Sequence, residues 1–419
     1  MNVARAAVVA AAAAAALVLA GAAPRVAPPP TFSREIVRIF AAHCQQCHHD
    51  GGPTHLSLER YSPANLLAEE IAQMTRTHQM PPWKPIAGCG VFAGERRLSQ
   101  AEIDLIGAWE AAGAPEGNRA DLPPRKKFDG AWKLGKPDLI VGMPEAYTPP
   151  GDRETFRSIV IPLDFPETRY VTSIDVRPSS PRSVHHVTAM IDSSGKARKL
   201  DAADPKPGYD GQLDVQFVPT SYFGNWFSNA EPFRIPDGVG IPVPPHSDLV
   251  LYFHFHPLNA TPPPEQTKVG LYFAKKRPQR LLEYRAIALG ALEIPAGNPD
   301  VRVTSSYTLP KSIHMYAIGG HMHYLGHRIE VNATRPGGVR ECLLKIEDWD
   351  PAWGGMYQLA TPLALPAGTV IDLAASFDNT DANPRNPSNP PVDVHFGQTT
   401  KDEMCFTEFT YTTDEPASP

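Results

Sequence analysis

The side chains best able to do chemistry in this chain are cysteines and histidines. Cys44-Gln45-Gln46-Cys47-His48 carries the Cys-x-x-Cys-His spacing by which c-type haem is attached. Two residues between the thiols let both sulfurs reach the vinyl groups of one porphyrin, and His48 then lies under the iron as proximal ligand. A Cys-x-x-Cys pair alone would serve equally as a redox disulfide or as half a zinc site. The adjoining histidine and the lack of a second such pair point to one covalently attached haem c. Met80 is the expected distal ligand. In Met80-Pro81-Pro82-Trp83 the prolines stop a helix and leave an extended loop that can present a thioether. Met74 and His78 compete for that role, and a Met80 that only fills the core is the plain alternative. His43, His49 and His55 are read as bystanders.

Further along come His185-His186, then His254 and His256 at the end of an apolar run, then His321-Met322-His323. In a strand, residues two apart share a face, so His254 and His256 point together, as do His321 and His323. Leu249, Leu251, Phe253 and Phe255 fall on the opposite face, which is expected to be core. His321-x-His323 is thus a two-tooth clamp for a transition metal, and zinc, copper and nickel all accept imidazole. Strand neighbours diverge, so His185 and His186 can reach one metal only at a bend or strand end. A single histidine pair in a β protein is more often a surface or hydrogen-bonded feature than a ligand set. Several groups in one chain shift that balance toward metal. His246, His314, His327 and His395 are read as structural or surface histidines.

Two kinds of scaffold must position these groups. Ile36, Val37, Ile39, Phe40 and His43 lie close to one helical face, which predicts a helix leading into Cys44. Ser99-Gln100-Ala101-Glu102 is a capping box ahead of Ile103, Leu105, Ile106 and Trp109, predicting a closing helix with Trp109 near the haem edge. From about Gly135 onward, short apolar runs (158–161, 249–256, 268–273, 370–377 and 406–411) alternate with Pro, Gly, Asn and Asp turns. That pattern predicts antiparallel β-sandwiches without a long helix. The 46 prolines among 419 residues disfavour an all-helical chain. A formal net charge of −6 without basic blocks argues against nucleic acid as partner.

Arg5, the apolar run 6–20 and Ala20-Gly21-Ala22 read as a signal peptide over residues 1–23, which predicts a periplasmic or secreted protein. No Cys follows Gly21, so no lipid anchor is expected. No run reaches the roughly 18 apolar residues of a stable membrane span. The expected fold is multidomain. A small all-α, cytochrome c-like haem domain (31–117) and a linker (118–134) precede a mainly β region. That region is expected to hold two antiparallel, jelly-roll-like β-sandwich subdomains, at 135–278 and 279–415.

The order His-His, strand His, His-x-His and Asp402-Glu403-Met404-Cys405 resembles the copper type II, ascorbate-dependent monooxygenases. This family includes peptidylglycine α-hydroxylating monooxygenase and dopamine β-monooxygenase. The matching stretches are 184–187, 249–255, His321-Met322-His323-Tyr324-Leu325-Gly326 and the Met404 segment. Met80-Pro81-Pro82-Trp83, Gly113-Ala114-Pro115-Glu116-Gly117 and the Asn-Pro-rich stretch 379–391 resemble bacterial members with a cytochrome c domain ahead of the copper module. The resemblance spans most of residues 35–413. It implies two sandwich domains that each supply one copper ion across a cleft. His185, His186 and His254 would hold the electron-transfer copper, with His256 in reserve. His321, His323 and Met404 would hold the copper that activates dioxygen. A thioether is a soft ligand that favours Cu(I), the state that reduces O2, whereas an all-histidine site can cycle as a relay.

The chain departs from the eukaryotic members. Gly319 stands where the peptide-hydroxylating enzymes hold a substrate carboxylate with arginine, and Phe406 and Glu408 replace an asparagine and a tyrosine. A C-terminal glycine peptide is therefore not the expected substrate. The family partner of the cysteine after the ligand Met is lost, with Ser376 near that place. Cys405 either pairs with Cys342 or stays a thiol, and Cys89 has no evident partner. The implied activity is a copper-dependent monooxygenase that hydroxylates a C–H bond of a small-molecule substrate with O2. Its electrons would come from a periplasmic donor through the haem. Two other readings remain: a haem and copper electron carrier or copper-binding protein without substrate chemistry, and a haem peroxidase, which needs an open iron.

Overall fold

The computed structural model describes residues 28–415, apart from 51, 53, 55, 129–131, 212–213, 228–231 and 259. The expected signal peptide and His55 lie outside the described residues.

The first part of the chain is helical. A π-helical turn, Phe32–Ile36, runs straight into the helix Val37–His43, which delivers Cys44. Tyr61–Leu66, Ala68–Arg76 and Gln100–Ala111 complete this part. Their apolar faces meet in one core around Phe32, Ile36, Phe40, Ile106 and Trp109. The capping box forms: the Ser99 hydroxyl accepts from the Glu102 N–H, and the Glu102 carboxylate accepts from the Ser99 N–H. Trp109 is fully buried between Phe32 and Phe40 and donates its indole N–H to the Pro115 carbonyl at 3.1 Å. It is a pillar of the helical core, packed on Phe40, which lies one turn before Cys44.

The rest is mainly β and almost wholly antiparallel, as the short apolar runs predict. Two five-stranded sheets enclose one core. The first has the order Tyr209–Asp210, Thr155–Pro162, Asp248–Phe255, Val184–Asp192, Ser221–Phe227. The second runs Leu139–Gly142, Lys268–Phe273, Arg169–Arg177, Val239–Val243, Arg280–Leu281. Leu249, Leu251, Phe253 and Phe255 are all fully buried in the shared core, on the face their alternation assigns. One short helix, Lys196–Ala203, was not apparent from periodicity; its Ala197 packs with Val160, Met190 and Val250 on the outer face of the first sheet.

A second pair of sheets, each of four strands, closes on its own core. One has the order Glu283–Ala288, Cys405–Thr413, Ile313–Met322, Gly355–Leu365; the other runs Val301–Thr308, Val370–Phe377, Gly326–Thr334, Arg340–Ile346. Arg280–Leu281 still pairs with the first sheet pair and Glu283–Ala288 with the second, so the chain crosses between them at Leu282.

The helical part is fastened to the second sheet pair. Residues 85–93 lie along two edge strands, with bridges Pro85 to Ile346 and Phe92 to Leu359. The Ile86 N–H donates to the Lys345 carbonyl at 2.9 Å, and the Ala93 N–H to the Gln358 carbonyl at 2.8 Å. Edge strands offer unpaired backbone groups, and this loop satisfies them on both sheets at once. It also brings Cys89 to Cys342, where a disulfide forms with a Cα separation of 5.0 Å. Cys89 therefore has a partner, contrary to the sequence reading, and Cys405 is left as a buried thiol inside the second core. Among the described residues no helix is long and apolar enough to cross a membrane; that statement does not bear on strands.

Candidate metal centres

His185 and His186 sit near the start of the strand Val184–Asp192, beside the end of Asp248–Phe255. The register pairs Val184 with Phe255 and His186 with His254, so His185 is an extra residue, a β-bulge. The bulge supplies the bend that two adjacent histidines need to face one point. Three Nδ1 atoms converge: His185 to His186 at 3.2 Å and His185 to His254 at 3.3 Å. A metal with bonds of about 2.0–2.1 Å to imidazole nitrogen imposes N···N separations of roughly 3.3–3.5 Å. The three ligand atoms all lie within 4.8 Å of one another. Burial pushes His185 down to about 3 and His186 well below the usual histidine range, so both rings are neutral, as a ligand must be. His256 is not in this set; its Nε2 lies 2.7 Å from the Arg182 carbonyl.

Two neighbours hold His254. Its ring stacks on Phe156 with centroids 4.2 Å apart, and its Nε2 lies 2.6 Å from Glu154 Oε1. A carboxylate on one ring nitrogen leaves the lone pair on the other, here Nδ1, which faces His185.

The second set stands on Ile313–Met322 and its neighbour Cys405–Thr413. The register pairs His321 with Phe406 and Met322 with Cys405, so Met404 lies opposite His323 just past the ladder. Opposed residues share a face in an antiparallel pair, which puts His321, His323, Met404 and Phe406 on one side. The His321 ring stacks on Phe406 at 4.7 Å and stands perpendicular to His323 at 5.1 Å. The His323 Nδ1 lies 3.0 Å from the Asp402 carbonyl, so its Nε2 is the nitrogen left to bind. Glu403, fully buried, pins the turn: its carboxyl accepts the N–H groups of His323 and Leu325 at 2.7 Å and of Met404 at 3.1 Å. Burial pushes Glu403 up to about 8 against those donors.

The two sets face each other across the junction of the sheet pairs. Behind the dominant effect of burial, His186 is further lowered by His321 and His323, and His321 by His185 and His254. Glu154 spans the junction directly: its second oxygen accepts from the Thr400 hydroxyl at 3.1 Å. Farther along the same face, Gly319 pairs with Glu408, and a Cβ at Gly319 would meet the Gly355 carbonyl at 2.8 Å and Met356 Sδ at 2.9 Å. Met356 thus occupies the space a side chain at 319 would need. Glu408 is buried, and Tyr284 donates to it at 2.8 Å. A cleft of about 500 Å³ opens nearby, with Gln46, Tyr222, Trp226, Trp353, Met356 and Thr410 among its lining residues.

At the Cys-x-x-Cys-His segment the chain turns back on itself: the Cys47 and His48 N–H groups both donate to the Cys44 carbonyl. His48 Nδ1 lies 3.3 Å from the Leu56 carbonyl and 3.1 Å from the Thr54 hydroxyl. Nε2 is then the free nitrogen, which suits an axial iron ligand. Met80 follows the helix Ala68–Arg76, with its N–H bonded to the Met74 carbonyl.

Sequence reasoning missed Glu154, Phe156 and Thr400. None has a local signature, since each acts through a partner about a hundred residues or more away. Glu403 was visible in Asp-Glu-Met-Cys, but only as part of a resemblance.

No family model and no curated protein matches the chain. Among solved structures, it is similar to the major capsid protein P2 from bacteriophage PM2 (9% identity, 67% of this chain, 98% of that one, TM-score 0.27). It is also similar to PBCV-1 VP54, fitted into a reconstruction of the virophage Sputnik (6%, 71% and 99%, TM-score 0.27), and to PNGF-II (10%, 66% and 65%, TM-score 0.26). Likenesses this distant carry no weight for fold or function.

Proposed function

We propose that the protein is an exported copper-dependent monooxygenase that hydroxylates a C–H bond of a small substrate with O2. It would belong with the copper type II, ascorbate-dependent enzymes it resembles, with a cytochrome c-like helical domain ahead of two β-sandwich domains. The observation that carries the reading is the convergence of three imidazoles at metal-ligand spacing, facing a second His-x-His pair across a junction. His185, His186 and His254 would hold one copper ion, and His321, His323 and Met404 the other. Cys44, Cys47 and His48 would hold the haem, with Met80 as its distal ligand. When bound, copper supplies one-electron redox chemistry and O2 activation, which imidazole and thioether cannot supply themselves.

The protein's own part is positional. The bulge at His185 aims two neighbouring rings at one point. Phe156 and Glu154 fix the plane and tautomer of His254. The Asp402 carbonyl and Glu403 hold the turn that presents His323 beside Met404. Burial keeps His185, His186, His321 and His323 unprotonated. Overall, one C–H bond, O2, two electrons and two protons would give one C–OH and one water, with both electrons coming singly from an external periplasmic donor through the haem. The cleft that Gln46 shares with Trp226 and Trp353 borders the haem motif and both sheet pairs, which suits that traffic.

The test is to load the protein with copper, reduce it, and look for O2 uptake coupled to a product one oxygen heavier. Met404→Ala is expected to abolish hydroxylation and leave haem reduction intact; equal loss of both would overturn the division of labour. A second reading, a haem and copper carrier without substrate chemistry, draws on the fact that only His185, His186 and His254 form a three-ligand group of His, Cys, Asp or Glu among the described residues. Copper uptake without O2 consumption in the presence of candidate substrates would favour it.

A further inference from the structure

We infer that Glu154 is a positioning residue that sets the tautomer of His254 and ties the two histidine sets together; this rests on the copper reading above. Glu154 immediately precedes the strand Thr155–Pro162, in which Thr155 pairs with Phe255 and Phe156 with His254. The strand therefore delivers a flat ring against His254 and, one residue earlier, a carboxylate to its edge. Stacking on Phe156 at 4.2 Å fixes the plane of the imidazole but not its proton. The contact of 2.6 Å between Nε2 and Glu154 Oε1 fixes the proton, because an ionised carboxylate can only accept. Nε2 carries the hydrogen, and Nδ1 presents its lone pair toward His185 and His186.

The second oxygen of the same carboxylate reaches the other sheet pair. It accepts from Thr400, two residues before Asp402, whose carbonyl lies 3.0 Å from His323 Nδ1. Met404 follows in the same segment. One carboxylate thus orients a ligand of the first set and anchors the stretch that positions two ligands of the second. A displacement of the first site can reach the second through Glu154 and Thr400, without passing through either core.

The experiment uses the full-length, haem-loaded protein. Copper is titrated against a competing chelator, and the Cu(II) EPR spectrum is recorded for wild type, Glu154→Ala, Glu154→Gln and Thr400→Val. Backbone amide exchange over residues 397–404 is followed in the same set. Glu154→Ala is expected to weaken first-site copper binding by about 10- to 100-fold, the usual effect of losing an outer-sphere partner, and to change the EPR signal of that copper. Glu154→Gln keeps an acceptor oxygen and is expected to recover part of both. Thr400→Val is expected to keep first-site affinity while amide exchange over 397–404 accelerates. Glu154→Ala or Glu154→Gln with wild-type affinity and spectrum would overturn the positioning role. Unchanged exchange in Thr400→Val would overturn the tie between the sets. Wild-type protein that takes up no copper would overturn the copper reading and this inference with it, a result distinct from either of the others.

Discussion

Glu408→Gln should abolish a pH dependence of stability that originates in one buried carboxyl. Glu408 is 4% exposed, and burial pushes its carboxyl from 4.5 up to about 7, while the hydrogen bond from Tyr284 pulls the other way. The folded protein therefore holds a proton that the unfolded chain releases between about pH 4.5 and 7. In that window the unfolded state binds fewer protons, so stability falls as pH rises and levels off above the folded value. A displacement of about 2.5 units corresponds to about 3 kcal/mol. If the second sheet pair melts as a unit of roughly 130 residues, this is about 10 °C in Tm; if the whole chain melts together, it is about 4 °C. The assay is a set of thermal melts of the purified, metal-free protein from pH 4 to 8.5, comparing wild type with Glu408→Gln. The Tm of wild type minus that of the variant should decline by that amount across the window. Tyr284→Phe, which removes the bond that favours ionisation, should move the decline to higher pH. A Tm difference that stays flat from pH 4 to 8.5 would refute the reasoning.

Breaking the Cys89–Cys342 disulfide with Cys89→Ser should release the loop 85–93 and expose it to protease, because the bond closes 253 residues of chain; the loss of stability is bounded by about 5 kcal/mol and is read by denaturant melts. Gly319→Ala should destabilise the second sheet pair by about 1–3 kcal/mol, because its Cβ would press on the Gly355 carbonyl, and Gly319→Arg should be worse; thermal melts check both. Glu403→Gln replaces an oxygen that accepts backbone N–H groups with an amide NH2 that cannot, so it should cost about 1–3 kcal/mol, read by melts, and, on the copper reading proposed above, lower copper uptake by one ion, read by metal analysis.

Much of the histidine placement was legible because strand geometry has a period of two. His321 and His323 had to share a face, and the alternating Leu and Phe residues at 249–255 had to face the core; both hold. The Cys-x-x-Cys-His pattern was legible because its five residues are contiguous. What stayed hidden was whatever depends on pairing between distant strands. The bulge at His185 exists only because Val184 and His186 pair with consecutive residues of another strand. Cys89 finds Cys342 because a loop of the helical part covers two sheet edges, a contact no local pattern encodes. Glu154 sits in a Pro-Gly-Asp-Arg turn, where an acidic residue ordinarily reads as solvent-exposed. The burial of Glu408 likewise follows from the packing of its strand, since a Glu among Thr and Phe residues in an alternating run looks like a surface position.

The charges at the junction suit the cation that the copper reading places there. Burial lowers His185, His186, His321 and His323, so a cluster that would repel itself if protonated is instead a set of neutral donors. Glu154, by contrast, is held below the usual carboxylate range: burial opposes this, but its bonds to His254 and Thr400 prevail. An anion thus stands directly behind a ring whose far nitrogen points into the cluster. On the copper reading, an entering metal ion would gain imidazole lone pairs and partial compensation of its charge at once. The same feature separates this site from a pH switch. A histidine cluster built to respond to acid needs values near neutrality, whereas His185, at about 3, stays uncharged at mildly acidic pH.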